Sequence, residues 1–444
     1  MADYIVAIDL GTSHLTGIVG EKSANGVTIV ACETVETDNC IHRGMINNSK
    51  NLAHHISDLI KRLERSLKGD YIHQFYVGIG GQSLRTIDHI EKMDIQDGMT
   101  VTKDDIDYLH EKCRNFKPDL LDVLGMAPAV YYRDGIKVEK PDSEWCKLFE
   151  ARYKLVVGRS MIRNMLKNSV DVIDGKELAG IIVSPLALAD AVLSAKDKEL
   201  GCALVDFGAG VTSVSIFKDG DLQHLCVIPI GGRMITQDIR SLQLTEADAE
   251  RLKKEKGKAT VCKEDENEII QIEMEGQDRQ LKLSDLNAVI EGRAKEIVDN
   301  VYARICAVFE TNQLGAGIVL AGCAYELTYL SELMQEKCNV NVRPATIQKG
   351  LVQGSDEMLG NPLYMMAISL MLKGTESCIM PRFTGAVQEG NVNFLNIEED
   401  NGETKNNEEK KKKKVKPEKE VKEPGQGLID RIKGAFTTNL FDEV

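Results

Sequence analysis

Hydrophobic and polar positions alternate in a recognisable way at the start of the chain. Residues 5–8 form an apolar, mostly β-branched run that ends at Asp9, and a second apolar run at 18–20 follows a turn of glycine, threonine and serine. Two such runs around a short polar turn predict a β-hairpin. Apolar residues at helical spacing predict a helix over 52–67, and residues 75–79 predict a strand that ends in glycines. The opening segment therefore predicts a sheet backed by a helix.

The opening pattern returns in the second half of the chain. Residues 203–214 are again an apolar strand that ends at an aspartate, here Asp206, followed by small and hydroxyl residues. Asp9 and Asp206 are 197 residues apart (206 − 9 = 197). A hairpin repeated at this distance indicates two related halves of an α/β protein.

Two segments depart from this texture. Residues 84–157 are more charged and are interrupted by three prolines, after which residues 155–157 and 160–170 predict a strand and a helix. We interpret 84–157 as an inserted subdomain. From residue 391 the hydrophobic periodicity is lost, and asparagine, glutamate and lysine dominate, with an unbroken lysine run at 410–414. This composition predicts a disordered linker over 391–426.

Composition narrows the classes of function. The chain has 444 residues, 43% of them hydrophobic, which fits globular domains with their own cores. A formal net charge of −14 argues against a general nucleic-acid binder. The eleven cysteines show no CxxC pair, so we expect free thiols in a reducing cytosol. No basic, apolar leader precedes residue 5, and the apolar stretch 178–193 is too short to span a bilayer.

The turns after Asp9 and Asp206 have the chemistry of phosphate-binding loops. Small residues let backbone N–H groups approach phosphate oxygens, and a strand-end carboxylate can hold a hydrated Mg²⁺. Residues 9–13 (Asp-Leu-Gly-Thr-Ser) and 206–212 (Asp-Phe-Gly-Ala-Gly-Val-Thr) both fit this description. Either one alone is equally consistent with a tight turn, and two copies strengthen the phosphate interpretation.

A third element is the strand and small-residue turn at 317–324, which lets a flat base lie close to the backbone, although it is equally a core strand that enters a helix. In order and spacing, the three elements resemble the phosphate-1, phosphate-2 and adenosine motifs of the actin, sugar-kinase and Hsp70 ATPase superfamily. The resemblance implies an actin-like (ribonuclease H-like) two-domain ATPase fold that binds ATP with Mg²⁺ in a cleft.

The resemblance also assigns roles to single residues. Asp9 and Asp206 would face the metal through water. The implied phosphate ligands are Gly11, Thr12, Ser13, Gly208, Gly210 and Thr212. The implied adenosine contacts are Gly317, Ala321, Gly322, Cys323 and Ala324. Cys323 stands where glycine is common, and its bulk is expected to lower affinity for the base.

One departure from the superfamily concerns hydrolysis. Relatives that hydrolyse ATP readily have a sequence similar to Glu-Pro-x-Ala between the two phosphate loops, with the acid positioning the attacking water. This chain has Ser184 at the position of the acid, followed by Pro185. A hydroxyl is a poor base at neutral pH, and general-base help is worth about 10²- to 10⁴-fold. We assign no catalytic residue and expect slow hydrolysis, with nucleotide acting as a conformational clamp.

Within the superfamily, the chain resembles the FtsA family of bacterial division proteins. Residues 78–83 are similar to the stretch that leads into the extra subdomain 1C of that family, and 230–239 resemble its glycine-containing helix start, although an ordinary strand-to-helix turn has the same pattern. The implied boundaries are subdomain 1A at 1–83, 158–200 and 345–390, subdomain 1C at 84–157, subdomain 2A at 201–232 and 301–344, and subdomain 2B at 233–300.

The end of the chain completes this resemblance. Residues 427–440 predict an amphipathic helix whose apolar face carries basic residues at its edges, as in helices that lie in a membrane interface. The residues of this predicted membrane-targeting helix are Leu428, Ile429, Arg431, Ile432, Lys433, Ala435 and Phe436. Docking on the protein itself or on a partner is the alternative, and a long charged linker makes self-docking harder to propose. The lysine run is interleaved with glutamates and is best interpreted as a solvated spacer.

The FtsA resemblance implies a role, partners and a location. The protein would polymerise with itself on anionic lipids at the cytoplasmic face of the cell membrane, tether the FtsZ ring there and recruit later division proteins through subdomain 1C. The C-terminal peptide of FtsZ would dock on subdomain 2B, where Arg293, Lys295 and Glu296 share a helix face that is equally plausible as a solvated surface. The alternatives are a pilus-assembly actin-like adaptor, which needs no terminal amphipathic helix, and a small-molecule kinase, which needs an acidic base that we do not find.

Overall fold

The computed structural model describes residues 3–380 except 25, 68, 97–98, 143–144 and 273–278. The strands in this part of the chain are β1 (Asp3–Leu10), β2 (His14–Ser23), β3 (Gly26–Glu36), β4 (Ile41–His42), β5 (Met45–Ile46), β6 (Tyr71–Ile72), β7 (Gln74–Ile79), β8 (Arg85–Asp94), β9 (Leu121–Met126), β10 (Val130–Arg133), β11 (Ile136–Val138), β12 (Leu148–Arg159), β13 (Glu177–Val183), β14 (Cys202–Phe207), β15 (Thr212–Lys218), β16 (Asp221–Ile228), β17 (Ile269–Ile272), β18 (Arg279–Lys282), β19 (Ile318–Ala321), β20 (Val342–Pro344), β21 (Val352–Gln353) and β22 (Ile379–Met380).

The α-helices of the described residues are α1 (Ser49–Glu64), α2 (Lys103–Arg114), α3 (Met161–Val170), α4 (Ser184–Val192), α5 (Ala195–Leu200), α6 (Gly232–Ile239), α7 (Glu246–Lys256), α8 (Leu283–Cys306), α9 (Leu330–Cys338), α10 (Asp356–Gly360) and α11 (Pro362–Met371). Short 3₁₀ turns occupy Arg240–Leu242, Lys263–Asn267, Thr311–Gln313 and Cys323–Glu326. None of these helices is long and apolar enough to cross a membrane.

The first sheet has six strands in the order β13-β7-β1-β2-β3-β21. β1, β2 and β3 form an antiparallel meander in which Asp9 lies opposite Thr16. β7 and β13 continue the sheet in parallel with β1, so the carboxyl ends of these three strands lie on one edge. The chain segments that leave this edge are the first polar turn, the glycines at 80–81 and the start of α4.

The second sheet repeats this arrangement. β14, β15 and β16 form an antiparallel meander in which Asp206 lies opposite Ser213, and β19 and β20 continue it in parallel. Asp206 follows Asp9 by 197 residues, and its partner Ser213 follows Thr16, the partner of Asp9, by the same number (213 − 16 = 197). The predicted pair of related hairpins and the α/β fold class are therefore confirmed.

The predicted insertion 84–157 contributes the remaining strands of the second sheet, whose order is β11-β10-β12-β8-β16-β15-β14-β19-β20 with β9 paired to β12. The segment has a core of its own, which includes Leu109, Phe149 and Tyr153. Arg85 of β8 lies opposite Cys226 of β16, and the backbone N–H of Leu225 donates to the Thr86 hydroxyl at 3.0 Å. The insertion is thus joined edge-on to the second meander, while the subdomain boundaries stay predictions.

Helix ends follow local capping. The spacing of apolar residues predicts a helix over 52–67, and α1 begins earlier because the Asn48 side chain accepts hydrogen bonds from the N–H groups of Lys50 and Asn51. The apolar face of α1 is buried against β2 and β3.

The predicted linker 391–426 and the predicted amphipathic helix 427–440 lie outside the described residues.

Candidate functional site

A cleft of about 630 Å³ is lined by residues that follow strands of both sheets. It brings together most of the residues that the sequence assigned to nucleotide binding, although their segments are far apart in the chain. The predicted residues that line it are Asp9, Gly11, Thr12, Ser13, Ser184, Asp206, Gly208, Gly322, Cys323 and Ala324.

The first loop, between β1 and β2, is held from outside by backbone and side-chain hydrogen bonds. The Thr37 hydroxyl donates to the Thr12 carbonyl oxygen at 2.7 Å, and the N–H of Thr37 donates to the Ser13 carbonyl at 3.1 Å. The N–H of Gly44 donates to Thr12 Oγ1 at 3.2 Å. Because Thr12 Oγ1 accepts this bond, its own hydroxyl proton is free to be donated to an anion in the cleft.

The second loop, residues 208–211, is anchored on the start of α6. The N–H groups of Gly232 and Arg233 donate to the carbonyl oxygens of Gly208 and Ala209, at 3.0 and 2.8 Å. A Cβ at Gly231 would lie 2.5 Å from the Gly208 carbonyl oxygen, so this close approach requires glycine. The glycine-containing helix start seen in the sequence therefore positions the loop.

The two loops touch one another. A Cβ added at Gly210 would lie 2.5 Å from Thr12 Oγ1, so the second loop packs directly on the first. Gly322, with φ of +81°, follows β19, and a Cβ there would lie 2.4 Å from an Asp206 carboxylate oxygen. The turn of the predicted adenosine motif is therefore packed against the second aspartate.

The two aspartates have unusual electrostatics. They are enclosed by protein while keeping partial access to the cleft, and this burial, together with the nearby charge of Asp206, raises the pKa of Asp9 to about 7. Burial raises the pKa of Asp206 to about 6. Two enclosed carboxylates in electrostatic contact are costly unless a cation neutralises them. The pair therefore fits a hydrated divalent cation. Within the described residues no group of three or more metal-ligating side chains occurs.

Several predicted residues do not line the cleft. Thr212 is fully buried, and its hydroxyl donates to the Ile230 carbonyl at 2.8 Å, so it has no free hydroxyl for phosphate. Gly317 precedes β19 at the end away from the cleft, where a Cβ would lie 2.1 Å from the Asn341 carbonyl oxygen. Ala321 is fully buried in β19. These residues, like Gly210, shape the loops and strands and are omitted from the ligand contacts proposed below.

Ser184 begins α4 at the edge of the cleft. Its side-chain oxygen is buried and has no hydrogen-bond partner. Cys323 also lines the cleft, where desolvation by the surrounding protein, together with the charge of Asp206, raises the pKa of its thiol to about 11, so the thiol is neutral at physiological pH. Neither residue supplies a carboxylate.

The structure adds a group of charged cleft residues that no motif indicated. Lys253 of α7 donates to the Gly232 carbonyl, the Thr236 hydroxyl and a Glu250 carboxylate oxygen, at 3.2, 2.9 and 2.6 Å. Burial lowers its pKa, although Glu250 opposes this. Lys254 and Glu326 also line the cleft, as does Arg233, which lies within the glycine-containing helix start at 230–239. In the sequence, the only sign of the charged residues on α7 is the (i, i+3) and (i, i+4) spacing of Glu250, Lys253 and Lys254.

The predicted partner residues on α8 have partners within the protein. Arg293 Nε lies 2.5 Å from an Asp238 carboxylate oxygen of α6, and the guanidinium also pairs with Glu296. Lys295 pairs with Glu291 along the same helix. A shallow groove of about 420 Å³ runs between α6 and α8 and includes Arg293 and Glu296 but not Lys295.

Comparisons with known proteins bear on the family and the fold of the chain. A family model described as "Cell division protein FtsA" matches residues 203–369. The chain is similar to the cell division protein FtsA of Porphyromonas gingivalis, with 29% identity over 384 residues, 85% of this chain and 80% of that protein. It is similar to FtsA of Bacillus subtilis, with 27% identity over 377 residues, 83% of each. Among solved structures, a PilM-PilN type IV pilus biogenesis complex aligns with a TM-score of 0.56 at 16% identity, covering 83% of this chain and 97% of that one.

Proposed function

Because this chain belongs to the FtsA family of cell-division proteins, we propose that it binds ATP with Mg²⁺ in the cleft and acts as a membrane-attached, actin-like component of the division machinery. The observation that carries the nucleotide part is the meeting of two glycine-containing loops, each following a strand-end aspartate, in one cleft. Such loops are suited to phosphate, and their aspartates to a hydrated metal.

Each part of the cleft has a role in this proposal. Gly11, Thr12 and Ser13 offer backbone N–H groups and hydroxyls to the phosphates. The N–H of Gly208 already donates to the Val211 carbonyl at 3.0 Å, so Gly208 contributes close approach of the loop and no donor. Asp9 and Asp206 would hold Mg²⁺ through water, and the bound cation would offset the negative charge of the phosphates. Small residues at Gly322 and Ala324 leave room for the adenosine, and the side chains of Glu250 and Lys253 form the adjoining wall.

Hydrolysis is expected to be slow. The position where readily hydrolysing relatives carry an acid is Ser184, and the surrounding cleft wall offers no replacement in α4, whose first turn has no acidic residue. The nucleotide then acts by holding the two halves of the molecule in a closed state. This state would favour self-association.

Membrane attachment is proposed to come from the C-terminal residues 427–440. One short helix with a single phenylalanine and two basic residues binds lipid weakly and reversibly. A filament that presents many such helices on one side gains avidity of about 10²- to 10⁴-fold. ATP-dependent polymerisation would thereby place the protein on the cytoplasmic face of the membrane at the division site, where it tethers FtsZ.

The groove between α6 and α8 is our candidate site for the FtsZ C-terminal peptide. Its lining includes apolar Ala288 and Val289 and the Arg293–Asp238 ion pair. A peptide carboxylate could compete with Asp238 for the Arg293 guanidinium. Arg293→Ala is expected to weaken binding of the peptide, whereas Lys295→Ala, which changes a charge on the same helix outside the groove, is not. Equal affinities in a titration of both variants would remove this groove from the proposal.

The pilus-adaptor alternative receives support only at the level of fold. The PilM-PilN structure is 16% identical, whereas the sequence relatives are FtsA proteins. The two functions differ in the need for the C-terminal helix. We therefore choose an experiment that depends on that helix.

The test is co-sedimentation of the purified full chain with anionic liposomes, with and without ATP and Mg²⁺. A truncation that ends at Glu423 and the variant Ile432→Glu, which places a charge on the apolar face, are the matched controls. We expect ATP-dependent pelleting of the full chain and its loss in both controls. Equal pelleting of all three proteins, or none, would leave the nucleotide-binding fold and remove membrane tethering.

A further inference from the structure

The start of α4 is an uncapped helix end at the cleft. The N-cap is Val183, whose side chain makes no capping hydrogen bond, and the first turn has no acidic residue. The first N–H groups of a helix have no partner within the helix, and they carry the positive end of its dipole. Pro185 has no N–H, so Ser184, Leu186 and Ala187 carry the first amides of the helix, and of these three residues Ser184 is the one that lines the cleft.

Ser184 adds a second, independent feature. Only 4% of the residue is exposed, and its hydroxyl oxygen has no hydrogen-bond partner. A buried hydroxyl without a partner costs free energy, and in native proteins such groups are rare and are explained by strain, a catalytic role, or a bound water or ion. The residue lines the cleft, and a ligand there would not compete with a hydrogen bond inside the protein for this hydroxyl.

Strand register places Ser184 beside the phosphate loops. Val183 lies opposite Ile79, and Gly78 of the same strand lies opposite both Ile182 and Asp9. A Cβ at Gly78 would come 2.6 Å from Ser184 Oγ, so the hydroxyl packs against the residue next to Asp9. The start of α4 and the first phosphate loop are therefore neighbours on one edge of the first sheet.

We propose that the hydroxyl of Ser184, at the start of α4, binds a phosphate oxyanion, either the terminal phosphoryl group of ATP or a free phosphate ion beside ADP. This inference rests on the proposed function, since it assigns a partner to the nucleotide's third phosphate. A serine at this position donates to an oxyanion, whereas a carboxylate would repel it. The chain would thus distinguish ATP from ADP at the place where it lacks the hydrolytic acid.

The experiment measures affinity, so it does not depend on turnover. The full chain, Ser184→Ala and Ser169→Ala are titrated with Mg²⁺ and either ADP or an ATP analogue with a non-hydrolysable terminal bond. Ser169 is the matched control, because it is equally buried but its hydroxyl already donates to the Met165 carbonyl at 2.8 Å in α3. Loss of one hydrogen bond to a charged group predicts that Ser184→Ala weakens binding of the ATP analogue by about 10-fold or more. We expect its ADP affinity and both affinities of Ser169→Ala to be unchanged.

Thermal unfolding without ligand is a second measurement. Ser184→Ala removes a hydroxyl that has no partner and should match or exceed the wild type in Tm, whereas Ser169→Ala breaks a hydrogen bond and should fall below it. Should the alanine variant unfold, Ser184→Cys keeps the shape and removes the strong donor. A drop in Tm for Ser184→Ala would show that the hydroxyl has a structural partner, contrary to the inference.

The outcomes separate this inference from the proposed function. If wild type and Ser184→Ala bind the ATP analogue equally while both bind ADP, the anion site is refuted and the nucleotide cleft stands. If the wild type binds neither nucleotide, the proposed function fails and the inference fails with it. Titration of inorganic phosphate in the presence of ADP then shows whether the site binds free phosphate or only the terminal phosphoryl group of the nucleotide. Phosphate binding that is lost in Ser184→Ala assigns the site to both forms, and an effect confined to the ATP analogue assigns it to the nucleotide.

Discussion

The two aspartates at the ends of β1 and β14 set the pH behaviour of the cleft. A carboxyl whose pKa is raised in the folded state, as for Asp9, binds a proton more tightly there than in the unfolded chain. Its stabilising effect is present below the unfolded pKa near 3.8 and is lost as pH rises through the folded pKa of about 7. At neutral pH, negative charge on Asp9 and Asp206 therefore destabilises the nucleotide-free protein, and a bound cation would neutralise this charge.

We predict that Asp9→Asn stabilises the nucleotide-free protein by about 1 to 3 kcal/mol at about pH 8 and changes it little at about pH 4, since the charged form is what costs free energy. The same change removes a carboxylate that we propose to face the metal, so binding of ATP with Mg²⁺ should be lost. Urea unfolding at both pH values and a nucleotide titration check this. A variant less stable than the wild type at about pH 8 would show that the Asp9 carboxylate is paired within the protein.

At the scale of elements, glycines decide how loops and helices fit. Gly231 lets the start of α6 approach the carbonyls of the second loop, and no side chain larger than hydrogen fits there without displacing backbone. Gly292 of α8 differs, because a Cβ at that position meets nothing within 4 Å. Alanine variants at Gly231 and Gly292 therefore separate the effect of packing on stability from the effect of helix propensity.

Gly231→Ala is predicted to destabilise the fold by about 1 to 3 kcal/mol, because a Cβ 2.5 Å from a carbonyl oxygen forces the loop away from α6. Nucleotide affinity should fall with it. Gly292→Ala should instead stabilise the protein by up to about 1 kcal/mol through helix propensity. Chemical denaturation and nucleotide titration of both variants test this, and a Gly231→Ala protein with wild-type affinity would contradict the role given to the α6 anchor.

Sequence periodicity located the middles of elements better than their ends. The helix that the sequence predicts around Arg293 and Glu296 is α8, Leu283–Cys306, whose buried positions include Leu286, Ile290 and Ile297 at helical spacing. At the start of this helix, the N–H of Leu283 donates to the Glu268 carbonyl at 2.9 Å. The periodicity of apolar residues does not reveal such a bond, so it does not locate the end of the helix.

At the scale of the whole molecule, the cleft joins segments from both halves of the chain. Its lining extends from Asp9 to Met366, so a ligand there contacts the first sheet, the second sheet and α7 together. A ligand that binds only the folded state stabilises it by mass action. Ligand binding should therefore stabilise both halves of the molecule against unfolding.

We expect ATP with Mg²⁺ at about 100 times its Kd to raise the unfolding free energy of the wild type by about 2.7 kcal/mol, as a single cooperative shift in Tm. Removal of Mg²⁺ with a chelator should abolish most of the shift. Differential scanning calorimetry measures both. A shift confined to one of two separate transitions would mean that the ligand contacts only one half of the molecule.

The sequence by itself determined the two hairpins, their repeat, the α/β class and the loops that carry Asp9 and Asp206, because hydrophobic spacing and short glycine turns are local properties of the chain. Only the tertiary structure decided which residues reach the cleft. It brought in Glu250 and Lys253 from α7, buried the hydroxyl of Thr212 against Ile230, and paired Arg293 with Asp238. These contacts join segments that are distant in sequence, and packing between elements, which no local pattern encodes, sets their distances.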